Sequence, residues 1–262
     1  MFFSLPSWAV ALLLLAVVGG ACVAGATAGR YLRRHTDALR EPIGVLQGAL
    51  LGVVGLILAF GLTLAVGRYE ARRAAVVAEA NAIGTTYLRA QLLAEPVRTE
   101  SLDLLRRYTD LALRVSKEIP NSAAMKRTTA AESAVQRRLW RLAGEALARA
   151  PTATAPRLYV DSLNDLIDQQ TVRTATLNNR VPGAVLGLEV IAAAVALGLL
   201  ALYLAVLGRG PVSVIAAAAL VTLLLLVTLD LDRPARGLIT VPATPLESVR
   251  ASMTLPPAAQ GP

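Results

Sequence analysis

Few side chains in this sequence have the types and spacing that catalysis requires. The 262 residues contain one histidine, His35, and one cysteine, Cys22, which excludes histidine clusters, cysteine-rich metal sites and disulfide frameworks. The sequence has no Walker loop, G-x-G-x-x-G fingerprint, G-x-S-x-G elbow or H-E-x-x-H pair. We therefore predict that the chain is not an enzyme and that it holds no metal and no other cofactor.

Acidic residues near apolar segments are the remaining candidates for ion chemistry. Glu189 is the only acidic residue near the interior of an apolar run, and ionisable groups at membrane depth are costly and often functional. We predict either that it snorkels to the membrane interface or pairs there, with Arg180 close in sequence, or that it belongs to an ion path. Asp230 and Asp232 have a spacing that suits a divalent ion, but with Arg233 beside them ion pairing is the favoured interpretation.

A second polar group follows the second apolar run. It consists of Glu79, Asn81, Tyr87 and Arg89. Glu79 and Arg89 are nearly three helical turns apart, so they cannot pair with each other along one helix. The pattern predicts a polar lock between neighbouring helices or subunits, with an ion vestibule as the alternative.

The apolar residues that must position these groups are concentrated in four blocks. Hydrophobic residues make up 55% of the chain and charged residues only 17%, a composition that excludes disorder and disfavours an ordinary soluble enzyme. About 20 apolar residues in a helix cross a hydrocarbon core of about 30 Å. We predict four transmembrane helices at about 7–28, 43–66, 184–207 and 211–229.

These spans predict an all-α integral membrane protein in which two hairpins enclose a polar insert. Residues 1–67 are predicted to form the first transmembrane hairpin and residues 181–230 the second. Residues 68–180 are rich in helix formers and predict a helical aqueous domain, followed at 231–262 by an extended C-terminal tail. The first span is predicted to be retained rather than cleaved as a signal peptide, because no Lys or Arg precedes it.

The basic charge belongs to the insert and to the ends of the spans. The chain has a net charge of +8, from 26 Lys and Arg against 18 Asp and Glu. Because this charge borders apolar spans, we predict membrane lipids and permeant ions as partners and exclude nucleic acid. Arginines flank the spans at both membrane faces, so the positive-inside rule does not decide the orientation.

One face of the second span carries small and apolar residues at four-residue spacing. Gly44, Gly48, Gly52, Leu56 and Phe60 lie on this face. A Gly-xxx-Gly seam is typical of close helix packing, and Gly25 and Gly29 of the first span are the predicted partners. The alternative hypothesis is that the face lines a pore.

Two strings in this region resemble the bestrophin-like family of bacterial four-helix membrane proteins. They are LILAFGLTLAVGRYEARR at 56–73 and EANAIGTTYLRA at 79–90. The string LDLDRPARG at 229–237 is similar to the sequence after that family's last span, although Ala235 stands where the family usually has Phe. The resemblance implies the two-plus-two layout of bestrophins, which are pentameric anion channels with a helical cytosolic domain.

The same resemblance implies a place for the pore. In bestrophins the second helix lines the conduit with apolar residues four apart, and the matching positions here are Gly52, Leu56 and Phe60. Only Phe60 preserves an aromatic ring, and Gly52 offers no bulk.

The function implied is a homo-oligomeric ion channel or pore, pentameric by analogy. Its implied location is the cell membrane, the inner membrane of a bacterium, with the helical domain in the cytoplasm. The competing hypothesis is a membrane-anchored interaction or sensory scaffold that does not conduct ions. A pore requires the face of the second span to line a water-filled axis in an oligomer, whereas a scaffold fills that face with other side chains.

Overall fold

The computed structural model describes residues 6–33, 40–234 and 237–256, with the backbone alone for 40–43. Ala235 and His35 therefore lie outside the described residues. Within those ranges there are helices and no strands, which confirms the predicted all-α class. The helices are α1 (Ser7–Leu32), α2 (Arg40–Ala90), α3 (Val97–Lys117), α4 (Ala123–Arg149), α5 (Thr154–Asn178), α6 (Gly183–Val206), α7 (Val212–Leu231) and α8 (Thr244–Ser252).

Contacts along the chain divide it into two units. We call Met1–Arg68 with Arg180–Ile239 the membrane unit, and Tyr69–Asn179 with Thr240–Pro262 the aqueous unit. Four helical segments are long and apolar enough to cross a membrane, which confirms the four predicted spans. Three of these segments lie in α1, α2 and α7. The fourth comprises α5 and α6. Its apolar part is α6, because α5 carries several charged side chains.

Glycines bring α1 and α6 into close contact. A Cβ atom on Gly25 would overlap the backbone carbonyl of Gly198, and one on Gly29 would overlap that of Leu202. Because the residue numbers of the contacts increase together along both helices, α1 and α6 are parallel. The prediction that Gly25 and Gly29 pack against the second span is wrong. Small residues permit close approach to any helix with a matching small residue, so the sequence spacing does not specify the partner.

The second helix runs antiparallel to α6. Gly44 lies beside the side chain of Tyr203, and Gly61 lies beside that of Glu189. The residue numbers of the contacts therefore increase along α2 while they decrease along α6. At the end of the membrane unit where α6 begins, the Ser7 hydroxyl at the start of α1 donates to Asp230 at the end of α7, at 3.3 Å. The four spans therefore alternate in direction along the chain.

The aqueous unit contains α3, α4, α5, α8 and the second half of α2. Its core includes the fully buried side chains of Leu105, Tyr108, Leu139, Tyr159 and Leu163. On α3 the buried residues recur every three or four positions, which is the period of an amphipathic helix with one face in the core.

The C-terminal tail differs from the prediction. The sequence predicts an extended segment over 231–262, but Thr244–Ser252 forms helix α8, which packs against α3. Pro245 stands in the first turn, where proline is compatible with a helix. Leu246 and Met253 are fully buried in the aqueous core, so burial of apolar side chains stabilises a helix that is too short to form alone.

Candidate functional site

The face of α2 predicted to line a pore is not covered by the rest of the described chain. Phe60 is 62% exposed and Leu56 is 57% exposed, and no other group lies within 4 Å of a Cβ built on Gly52. Val54 and Leu58 are buried in the core of the membrane unit. At about 100° per residue, this buried stripe lies on the opposite side of the helix. The predicted seam is therefore unfilled along most of its length within one chain.

A carboxylate is buried behind this face. Glu189 on α6 is 1% exposed, and its Oε1 has no hydrogen-bond donor among the described residues. The carboxylate lies against Gly61, so closely that a Cβ atom on Gly61 would overlap it. The predicted pairing with an arginine is therefore absent from the described part of the chain, and the ion-path role stays a prediction.

In the aqueous unit, Glu79 is at the centre of a buried polar cluster. The Tyr108 hydroxyl donates to Oε1 of Glu79 at 2.8 Å, and the Arg173 guanidinium donates to Oε2. Arg173 also donates to the carbonyl of Ala112 at 2.8 Å and to the Ser116 hydroxyl at 2.7 Å. Burial, together with the Glu79 carboxylate, raises the pKa of Tyr108 well above its ordinary value. Glu79 thus joins α2 to α3 and α5.

The remaining members of the predicted group have separate surroundings. Asn81 is exposed. The Tyr87 hydroxyl receives a hydrogen bond from Arg106 at 2.8 Å and donates to the carbonyl of Met253 at 3.2 Å. Arg89 donates to the carbonyl of Leu158 and, at 3.2 Å, to the carboxylate of Asp161. Tyr87 and Arg89 therefore tie α2 to different neighbours, and the described contacts of the predicted group have no partner in common.

A second buried carboxylate, which the sequence analysis missed, lies near Glu79. Glu132 on α4 is 1% exposed, and the Gln170 amide donates to its Oε2 at 3.2 Å. Its Oε1 has no partner in the described ranges. Burial, reinforced by the negative charge of Glu79, raises the pKa of Glu132 to about 7. Its sequence environment of polar helix residues gave no signal of burial.

The acidic pair at the end of α7 forms hydrogen bonds with the backbone. Both Oδ atoms of Asp232 accept from the Val181 N–H at 3.2 Å, and Asp230 accepts from the Ile239 N–H at 2.8 Å. Gly237 allows this turn, because a Cβ there would lie 2.8 Å from Asp230. The described residues contain no group of three or more His, Cys, Asp or Glu side chains placed to hold a metal ion.

Comparisons with known proteins agree with this architecture. A family model described as the bestrophin-like domain matches residues 10–246. Two crystal structures of mutants of a bacterial bestrophin homologue from Klebsiella pneumoniae align with TM-scores of 0.68, at 12% and 13% identity. The alignments cover 90% and 92% of this chain and 97% and 96% of those chains.

A third crystal structure, described only as a mutant membrane protein, aligns with a TM-score of 0.65 at 14% identity and covers 93% of this chain and 95% of that one. At these identities the structural matches establish the fold alone. No curated protein sequence matches the chain. The family match spans both units and all four membrane helices, so this multi-pass membrane protein belongs to the bestrophin-like family.

Proposed function

We propose that this chain is the subunit of a homo-oligomeric ion channel in which α2 lines the conduit. The supporting observation is the uncovered face of α2, where Gly52, Leu56 and Phe60 lie opposite the buried stripe of the same helix. One chain offers no enclosed path along this face. Several copies around an axis would enclose one, and bestrophin-like proteins are known as ion channels.

In this proposal the three residues form successive rings around the axis. They are four residues apart, which corresponds to about 6 Å of helix rise between rings. Phe60 supplies the bulk and Gly52 the widest point, so a constriction that gates by dewetting would lie at Phe60. The proposed assembly is a pentamer in the cell membrane, with lipids around it and the helical domain in the cytoplasm.

Glu189 has an indirect role in the proposed channel. Its carboxylate lies against the backbone of α2 at Gly61, the residue that follows Phe60. Because the carboxylate is on the buried side of α2, it would act on permeant ions through its field rather than by contact. We propose that Glu189 influences ion flux next to the constriction.

The mass of the purified complex is the first test. Native mass spectrometry of the full chain in detergent is expected to show a closed ring of identical subunits. A monomer would contradict the channel and favour the non-conducting scaffold, because the uncovered face of α2 would then contact lipid alone.

Water access to the face of α2 is the second test. The single cysteine permits a clean background, in which Cys22→Ala is combined with Phe60→Cys or, as the control, with Ile191→Cys. Ile191 lies on α6, outside the helix proposed to line the conduit, and its exposure of 64% is similar to the 62% of Phe60. A charged, water-soluble thiol reagent is expected to modify only the Phe60→Cys protein in liposomes and to change its ion flux. Equal protection of both cysteines would contradict a water-filled conduit.

Truncation of a ring residue tests conduction directly. Leu56→Ala is expected to change the liposome ion flux, whereas Leu188→Ala on α6 is expected to leave it unaltered. The two leucines are a matched pair, with exposures of 57% and 55% in one chain. Identical flux from both variants and the wild type would remove Leu56 from the conduit.

A further inference from the structure

A second region of the membrane unit, distant in sequence from the proposed conduit, contains an open cavity of about 560 Å³. It lies among the end of α1, the end of α6 and the beginning of α7. Cavities that hold small molecules commonly have volumes of about 300–1,000 Å³. The cavity therefore has room for the polar end of an amphiphile.

Three arginines line this cavity, and no acidic residue is among its lining residues. They are Arg30 in the last turn of α1, Arg33 directly after it, and Arg209 in the turn between α6 and α7. Within the described part of the chain, no carboxylate forms an ion pair with any of the three. The cavity thus concentrates positive charge that no described carboxylate pairs with, at the ends of membrane helices, where lipid headgroups lie.

The turn between α6 and α7 leaves room for one of these guanidinium groups. Gly208 has φ of +71°, a backbone conformation that glycine adopts without strain. A Cβ atom at this position would lie 2.9 Å from a guanidinium nitrogen of Arg33. The absence of a side chain therefore lets the Arg33 guanidinium lie directly over the turn.

The rest of the cavity wall is apolar and open. Val23 on α1 is 65% exposed and Ile215 on α7 is 62% exposed, and the wall between them includes Ala26 and Val214. A free inorganic anion gains nothing from such a wall. A molecule with an anionic head and hydrocarbon chains matches both halves of the cavity.

We infer that this cavity binds the headgroup of an anionic phospholipid, with its phosphate on Arg30, Arg33 and Arg209 and its acyl chains along Val23 and Ile215. Guanidinium groups bind phosphate oxygens in a bidentate manner, which suits this task better than lysine. Asp230 and Asp232 do not compete for these arginines, because they lie at the other end of the membrane unit and are buried and hydrogen-bonded there. The inference is independent of ion conduction.

Lipid binding to the full-length protein tests this inference. Native mass spectrometry in detergent would count phosphatidylglycerol and phosphatidylcholine molecules retained as each lipid is titrated. We expect the wild type to retain phosphatidylglycerol preferentially. The combined variant Arg30→Gln, Arg33→Gln, Arg209→Gln is expected to bind phosphatidylglycerol at least tenfold more weakly, since each interfacial arginine contributes about 1 kcal/mol to binding anionic lipid.

A matched variant controls for the loss of three charges. Arg107→Gln, Arg127→Gln and Arg137→Gln remove the same charge from exposed positions of the aqueous unit. The control is expected to retain phosphatidylglycerol as the wild type does. Equal losses in the two triple variants, or equal retention of the two lipids by the wild type, would overturn the inference.

Filling the apolar half of the cavity separates a lipid from a free anion. Ala26→Trp adds bulk to the wall and leaves the three arginines in place, and its circular dichroism and thermal unfolding would establish that it folds. We expect it to lower phosphatidylglycerol retention. Two results together would show a site for free anions and overturn the lipid assignment. They are phosphatidylglycerol retention that Ala26→Trp does not change, and full competition by inorganic phosphate for the site. A crosslink that joins two copies of a Val23→Cys variant would also overturn the lipid assignment.

Discussion

Glu79 of the aqueous unit and Glu189 of the membrane unit are both buried, but the surroundings of their carboxylates are opposite. In the aqueous unit, Glu79 accepts hydrogen bonds from Tyr108 and Arg173 on two other helices. In the membrane unit, Glu189 is equally buried, but its Oε1 has no donor among the described residues and its neighbour is Gly61. A buried carboxylate with charged and neutral donors joins helices, whereas one without donors costs stability. The difference indicates a structural role for Glu79, and it is the reason why a role in ion flux is proposed for Glu189.

The largest expected effect comes from breaking the pair in the aqueous unit. Arg173→Met is expected to lower the free energy of unfolding by about 3–5 kcal/mol, because it leaves Glu79 buried without its charged partner. Denaturant unfolding of the purified protein measures the change. Arg138→Met is the control, because its ion pair with Glu100 is at an exposed surface and contributes at most about 1 kcal/mol. Similar losses in both variants would mean that Glu79 is not held as the structure indicates.

The next effect depends on pH and tests the other buried carboxylate of the aqueous unit. The pKa of Glu132 is about 7 in the folded protein, against an ordinary value of 4.5. The stability that its protonated form contributes is therefore fully present below about 4.5 and is lost as pH rises through about 7. The stability lost between these pH values is on the order of 3 kcal/mol.

Glu132→Gln removes this titration. The variant is expected to be more stable than the wild type near pH 8 and to lose that advantage near pH 4.5, as measured by thermal unfolding at both pH values. A stability difference that does not change with pH would contradict the assigned pKa.

A smaller effect tests how tightly the helices of the membrane unit are packed. Gly25→Ala is expected to destabilise the protein by about 1–3 kcal/mol, because the new methyl group meets the backbone carbonyl of Gly198. Gly61→Ala is expected to cost less, since the group it meets is the end of the flexible Glu189 side chain. Gly55→Ala, with open space around it, is the control and is expected to be neutral or stabilising. Thermal unfolding that ranks Gly55→Ala as the most damaging would contradict this packing.

The smallest expected change in stability sharpens the comparison most directly. Glu189→Gln is expected to raise the free energy of unfolding by less than about 1 kcal/mol, because it replaces a buried carboxylate that has no donor with a buried amide that is also polar. Glu79→Gln is expected to lower it, because that change weakens a buried ion pair. The same Glu189→Gln protein is expected to differ from the wild type in liposome ion flux. Unaltered flux together with a large loss of stability would assign Glu189 a structural role.

The sequence predicts the membrane helices well, because about 20 uncharged apolar residues have few other stable environments. It does not predict which helices touch. Gly25 and Gly29 indicate close packing, but their partner is α6, more than 150 residues away in the chain. Pairing of this kind is decided by the three-dimensional arrangement of several helices, which local spacing does not contain.

The polar sites show the same limit. Glu79 is singled out by its sequence, but its partners Tyr108 and Arg173 lie on helices that the sequence does not place beside it. Helix α8 was missed for a related reason, because nine residues rich in polar side chains become helical only when Leu246 is buried by the rest of the unit. Burial in the folded unit, rather than local helix propensity, decides which partners Glu79 has and whether α8 forms.

The alternating direction of the four spans has a consequence for biosynthesis. The start of α1 and the end of α7 meet at one membrane face, as the Ser7–Asp230 hydrogen bond shows. With four crossings that alternate in direction, the end of the membrane part of α2 and the start of α6 also lie at that face. During synthesis, only the connections that follow α1 and α6 must therefore pass through the bilayer if the N-terminus stays on the ribosome side. Each hairpin can insert as a unit, and the long polar insert can fold without being translocated.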